Sequence, residues 1–134
     1  MSITLKARTI VKGNVEARAI VAKKAMSFTY VDPETGKVID TTQELYGETI
    51  KDKILVLPVL KGSAMQPYSL YQLLQKGVAP RGLITLEAET RIISAAMLCE
   101  IPLMDKLEKN PLEAIRTGDL VHLRADKGVV EVER

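Results

Sequence analysis

The feature that most constrains this chain is an apolar run, Ile54 to Leu60, that breaks at Lys61-Gly62-Ser63-Ala64 and resumes as an amphipathic stretch ending at Gly77. An apolar run of that length without alternation reads as a strand buried on both faces, and such a strand needs a layer on each side. Beyond the break, Leu70, Leu73 and Leu74 recur at helical spacing and fall on one stripe. A strand that turns at glycine and re-enters as a helix directs several free backbone N–H groups toward one point, which suits an anion. Lys61 adds a positive charge there and Ser63 a hydroxyl. Function is expected at this corner.

The helix start bears on Ser63. Ser63 and Gln66 have the spacing of a capping box, which would make the serine an ordinary N-cap. Pro67 would then occupy the fourth helical position, where its missing N–H forfeits the first intrahelical bond, and it disfavours helical geometry at Gln66. The helix is therefore predicted from Pro67 to near Lys76, with Gly77 as its C-terminal cap. Ser63 to Gln66 then form a loop, and the hydroxyl is free of capping. A loop serine that only ties up a turn is the plain alternative.

A chain of 134 residues is expected to form one domain, residues 1–134. Its net charge of +2, with four Tyr, one Phe and no basic run between aromatics, argues against a nucleic-acid partner. No apolar run approaches membrane-spanning length and the N-terminus has no signal-peptide core, so a soluble, cytoplasmic protein with no membrane partner is expected. Cys99 is the single cysteine, which leaves no disulfide framework and no metal cluster held by this chain alone. In Ala95-Ala-Met-Leu-Cys99 it reads as a small buried residue. His122 alternates with Val121 and Leu123, which places it on a polar strand face with Arg124 as a surface histidine.

Ile3 to Ile10 and Val15 to Ala22 read as strands joined by a hairpin-type turn at Lys12-Gly13-Asn14. Phe28 and Tyr30 precede strong turn chemistry at Asp32-Pro33-Glu34-Thr35-Gly36, and are expected to close one end of a barrel or to form a partner-binding lip. Lys37 to Asp40 resumes as a short strand, and Thr41 to Lys53 is a polar connection. Gly82 to Leu86 and Ile101 to Met104 are further buried strands, separated by a helix that Thr90 can cap. Asn110-Pro111-Leu112-Glu113 has the cap, first-position proline and box glutamate of a helix start. Val121 to Arg124 and Val129 to Val132 form a terminal hairpin around Asp126-Lys127-Gly128. The expected fold is α/β: a parallel βαβαβ middle with right-handed crossovers, helices on one side, and antiparallel strands at both ends.

Several stretches resemble the small subunit of the aconitase-X family: Gly13-Asn-Val-Glu-Ala17, Met26-Ser-Phe28 with Val31-Asp-Pro-Glu-Thr-Gly36, Lys53-Ile-Leu-Val-Leu-Pro58, Lys61-Gly62-Ser63, Tyr68-Ser-Leu-Tyr71 and Gly77-Val-Ala-Pro80. The resemblance covers nearly the whole chain in order. It implies a swivelling β/β/α domain, barrel-like, in agreement with the architecture read from the residues. It further implies a dehydration, such as that of (R)-5-phosphomevalonate to trans-anhydromevalonate 5-phosphate. The partners it implies are a large catalytic subunit carrying a 4Fe-4S iron–sulfur cluster and a small phosphorylated hydroxy acid, with no cofactor bound by this chain. By the same resemblance Ser63 takes the proton alpha to the carboxylate, Gly62 and Ala64 offer oxyanion-type N–H groups, and Lys61 contacts the substrate anion. The chain departs from the family in having Ala64 and Gln66-Pro67-Tyr68 where a second serine and a glycine-serine pair are frequent, and Thr29-Tyr30 where small residues are common.

Magnitudes decide whether such a chain acts alone. A helix N-terminus stabilises a charge by ~0.3–1 kcal/mol and at best ~2, whereas each pKa unit requires about 1.36 kcal/mol. Lys61 adds a similar amount if desolvated. Together these fall well short of populating a serine alkoxide at neutral pH, so the isolated subunit is expected to be inert. The rival readings are a stand-alone anion-binding module without catalysis and a dehydratase of another hydroxy acid, such as a hydroxyproline.

Overall fold

The computed structural model describes residues 2–62 and 64–134. Its strands are β1 (Ser2–Lys6), β2 (Arg8–Val11), β3 (Asn14–Val21), β4 (Ile54–Leu57), β5 (Gly82–Thr85), β6 (Leu103–Asp105), β7 (Leu120–Arg124) and β8 (Val129–Glu133). They hydrogen-bond in the order β1-β8-β7-β3-β4-β5-β6-β2. Strands β3, β4, β5 and β6 run parallel, and β3 also pairs antiparallel with β7, so it belongs to both walls. The two ends of this order are β1 and β2, which only Ala7 separates. Two residue steps span at most about 7 Å. The sheet therefore rolls until its edges meet, giving a flattened barrel with one antiparallel and one parallel wall.

Alternation along the parallel strands feeds two cores. Ile54 and Val56 of β4 point into the barrel with Ile84, Met104, Val121, Leu123, Val130 and Val132. Leu55 and Leu57 point the other way, into a layer built with Leu70 and Leu73 of α1 (Gln66–Gln75) and Ile92, Ala95 and Ala96 of α2 (Thr90–Cys99). This is why the central strands carry no polar face. Helix α1 ends as expected: Gly77 N–H donates to Leu74 O and Val78 N–H to Leu73 O, the two bonds of a Schellman motif. Asn110 caps the one-turn α3 (Pro111–Ala114) by accepting from Leu112 N–H.

Several expectations are corrected. Ile3 to Ile10 is not one strand: β1 pairs with β8 and β2 with β6, because each half belongs to a different edge of the closing sheet. Lys12-Gly13-Asn14 consequently joins no hairpin, since β3 pairs with β7 and β4. Lys37 to Asp40 makes isolated bridges, Val31 to Val38 and Lys37 to Thr49, rather than a strand. Glu89, not Thr90, is the N-cap of α2, its carboxylate accepting from Arg91 N–H. Helices α1 and α2 share one side as expected, but Leu112 and Ile115, within and just beyond α3, pack with the barrel interior. Phe28 lies in the helix-side core rather than at a barrel end.

The seam is fastened by charge. Arg8 on β2 donates Nε to Asp105 Oδ1 at 2.9 Å and its terminal nitrogen to Oδ2 at 2.7 Å. The Asp105 side chain is fully buried, and Oδ2 also accepts from Ala88 N–H at 2.7 Å. Burial pushes this carboxyl up, but the Arg8 hydrogen bonds, the Ala88 N–H and the charges of Arg8 and Lys106 outweigh it and hold it below the ordinary carboxylate value. Asp105 thus ties the edge strand to the segment leading into α2.

Candidate functional site

Beyond β4, the chain runs beside Met26: Leu60 bridges it, and Lys61 N–H donates to Met26 O at 2.9 Å. At Gly62 the backbone takes φ +85°, and a Cβ built there would meet nothing within 4 Å. Glycine is required for the conformation rather than for space. Ser63 lies outside the described residues. Lys61, Gly62 and Ala64 are all exposed.

Three successive carbonyls of this turn are each held by a side chain. Arg91, on the first turn of α2, donates one terminal nitrogen to Leu60 O and the other to Gly62 O, both at 2.8 Å. Its Nε donates to Glu89 Oε2 at 3.2 Å, which orients the guanidinium plane. Between those two carbonyls, Lys61 O accepts from Gln66 Nε2 at 2.9 Å. Gln66 is wholly buried; its Nε2 also donates to Ser27 Oγ at 2.7 Å and its Oε1 accepts from Phe28 N–H at 2.9 Å.

Gln66 also explains why the helix begins one residue earlier than its sequence predicts. Helix α1 starts at Gln66, with Met65 at the N-cap position and Pro67 second. Pro67 there lacks an N–H that would have no intrahelical partner in any case. The disfavoured helical geometry of a residue before proline is outweighed at Gln66 by three side-chain hydrogen bonds. Its amide serves the Ser27 hydroxyl, the Phe28 N–H and the Lys61 carbonyl.

Lys61 Nζ sits 5.6 Å from the centroid of the Tyr30 ring, an interaction worth about 0.5–1 kcal/mol at an exposed site. Asp40 is held below its ordinary pKa mainly by hydrogen bonds from Thr42, with Lys61 adding attraction. A cleft of about 60 Å³ runs beneath, lined by Met26, Tyr30, Val38, Thr42, Leu45 and Lys61 among others. Tyr30 therefore seats the lysine that precedes the turn. Met65 and Tyr68 are exposed large apolar side chains on the same corner.

The other candidates stand elsewhere. Cys99 is buried in α2, where burial pushes its thiol up to about 11. His122 faces outward from β7 between Glu16 and Glu133, 3.2 Å and 3.6 Å away. Among the described residues no group of three or more His, Cys, Asp or Glu is placed to hold a metal ion, so these residues do not fit an iron–sulfur cluster. No described helix is long and apolar enough to cross a membrane.

With this geometry in place, comparison with known proteins identifies the fold's relatives. The model of the aconitase X swivel domain family matches residues 4–132. The chain belongs to this family. The phosphomevalonate dehydratase small subunit of Thermococcus sibiricus is 43% identical over 130 residues, covering 96% of this chain and 98% of that protein. The protein of the same name from Methanosarcina acetivorans is 41% identical, covering 97% of this chain and 91% of its own length. A crystal structure of Thermococcus kodakaraensis aconitase X in its holo form superposes with a TM-score of 0.91 at 39% identity, covering 98% of this chain and 99% of that one. The swivel-domain architecture read from the sequence is the one observed.

Sequence reasoning missed Arg91, Glu89 and Ser27. Arg91 lies 29 residues from Gly62, and nothing local to either marks the contact. Gln66 was visible, but its spacing from Ser63 pointed to a different partner.

Proposed function

We propose that this aconitase X swivel domain is the small subunit of a heteromeric hydro-lyase that removes water from (R)-5-phosphomevalonate to give trans-anhydromevalonate 5-phosphate. The observation that carries the reading is the near-complete overlap, at about 40% identity, with proteins named phosphomevalonate dehydratase small subunit. A turn with restrained carbonyls beside an exposed lysine supports it as a place to hold an anionic substrate.

Ser63, as its alkoxide, takes the proton alpha to the carboxylate, the freed C–H pair becomes the double bond, and the hydroxyl leaves the neighbouring carbon with its bonding pair; the proton on Ser63 and the released hydroxide together make up the water lost. Gly62 and Ala64 present backbone N–H groups to the carboxylate oxygens that gain charge as that proton leaves. Lys61, seated on Tyr30, meets an anionic group of the substrate. An iron–sulfur cluster held by the large subunit would supply Lewis-acid assistance to the departing hydroxyl. The stabilisation that a helix N-terminus and a lysine offer falls well short of what a serine alkoxide needs at neutral pH, so proton removal needs the water-poor site that forms when the large subunit covers the corner.

The test is co-purification with the large subunit, followed by assay on phosphomevalonate. The expected result is turnover by the complex, none by this chain alone, and a Ser63→Ala complex that assembles but does not turn over. Dehydration by the isolated chain, or full activity of the Ser63→Ala complex, overturns the reading. Turnover of a hydroxyproline-type acid but not of phosphomevalonate reassigns the substrate.

A further inference from the structure

We infer that Arg91 is a positioning residue for the catalytic turn. Its guanidinium fork grips the Leu60 and Gly62 carbonyls and so restrains the segment that leads into Ser63. This inference rests on the proposed dehydratase reading for its effect on turnover, but not for its effect on the turn itself.

The turn leaves β4's ladder at Leu57, and among the described residues the Lys61 N–H bond to Met26 O is its last sheet-like contact. A glycine at φ +85° with open space around it makes the segment intrinsically soft. Against this, Leu60 O and Gly62 O are both taken by one planar group, at equal 2.8 Å distances. Because carbonyl and following N–H point oppositely across a trans peptide, holding a carbonyl also aims the next amide. Gln66 does the same for Lys61 O, and thereby for the Gly62 N–H.

The brace is itself oriented. Glu89 Oε2 accepts both Nε and the backbone N–H of Arg91. Asp105, through Ala88 N–H, fixes the segment just before Glu89. The guanidinium is one-third exposed and spends all three of its nitrogens on protein acceptors, which suits support of the backbone rather than contact with substrate. A lysine offers no planar fork and cannot reproduce the paired grip.

The experiment uses the full chain, alone and with its large subunit, as wild type, Arg91→Met and Arg91→Lys. Arg91→Met is expected to lower kcat of the complex at least tenfold, with KM changed less than threefold, because Lys61 keeps its own seat on Tyr30 and its bond to Met26. Arg91→Lys, which keeps the charge if Arg91→Met folds poorly, is expected to recover part of that loss. Amide hydrogen exchange across residues 60–66 should speed up at least tenfold in both variants, while the β3, β7 and β8 amides keep their wild-type rates. An unchanged kcat, a rise in KM alone, or a kcat loss without faster exchange at 60–66 overturns the inference. If the wild-type complex does not act on phosphomevalonate, the dehydratase reading fails while the exchange measurement still decides whether Arg91 holds the turn.

Discussion

The barrel interior and the corner from Leu60 to Gln66 are held by opposite means. In the interior, ladders orient the backbone and apolar side chains fill the volume. A Cβ added at Gly82, whose backbone is unremarkable, would come within 2.6 Å of Leu123 Cδ1 and 3.0 Å of Ile54 Cδ1. At the corner there is room and little ladder; a Cβ on Gly62 meets nothing, yet the backbone sits at φ +85°, and side chains from two helices orient its carbonyls. The interior specifies volume and leaves conformation to the sheet. The corner specifies conformation and leaves volume open, which suits the substrate site proposed there.

Five substitutions break this contrast, and a thiol probe sharpens it. Ser63→Ala is expected to have the largest effect, a loss of turnover of about 10²–10⁴-fold, with a melting temperature matching the wild type. Loss of thermal stability instead of turnover would make the serine structural. Arg8→Ala comes next, read as a lowered midpoint in denaturant unfolding, because it leaves the buried Asp105 carboxylate with the Ala88 N–H and only the charge of Lys106 to offset it.

The same pair predicts a pH dependence. The folded-state pKa of Asp105 is depressed, so its contribution is complete above the unfolded value of about 3.9 and is lost as pH falls through the lower folded one. The stability gap between wild type and Asp105→Asn should therefore be full at neutral pH and close below about pH 4. A gap that stays constant across that range would show that the charge contributes nothing.

Gly82→Ala is expected to cost about 1–3 kcal/mol by overpacking, read as a lowered denaturation midpoint without altered kcat. Gly62→Ala is expected to cost only about 1 kcal/mol, the left-handed penalty for a residue with a Cβ, while lowering kcat more than it lowers stability. Equal effects of the two glycine variants on activity would erase the distinction between the regions. The smallest signal is at Cys99: buried, with its thiol pushed up to about 11, it should resist iodoacetamide at pH 8 until the protein unfolds, and rapid labelling of the native chain would contradict its packing.

Much of the fold was legible because it is written in local pattern. The unbroken run Ile54–Leu57, the Asn110-Pro111 cap and the Gly77 stop each satisfy a backbone or burial requirement within a few residues. The corner was legible too, as an apolar run that breaks at Lys61-Gly62, although the strand itself ends at Leu57. What the residues around it do to one another was not. The helix start moved to Gln66 because a buried amide reaches Ser27 and Phe28, 39 and 38 residues away.

Sequence alone determined the central βαβαβ order, the β7–β8 hairpin and the place where chemistry is expected, since periodicity, caps and turn residues act over one or two turns of chain. Tertiary structure alone decided that the first strand divides at Ala7 to supply both edges of the rolled sheet, and that Arg91 and Gln66 grip the turn. Those outcomes depend on which segments become neighbours after the sheet rolls, and a contact between residues far apart in the chain leaves no periodic trace in either of them.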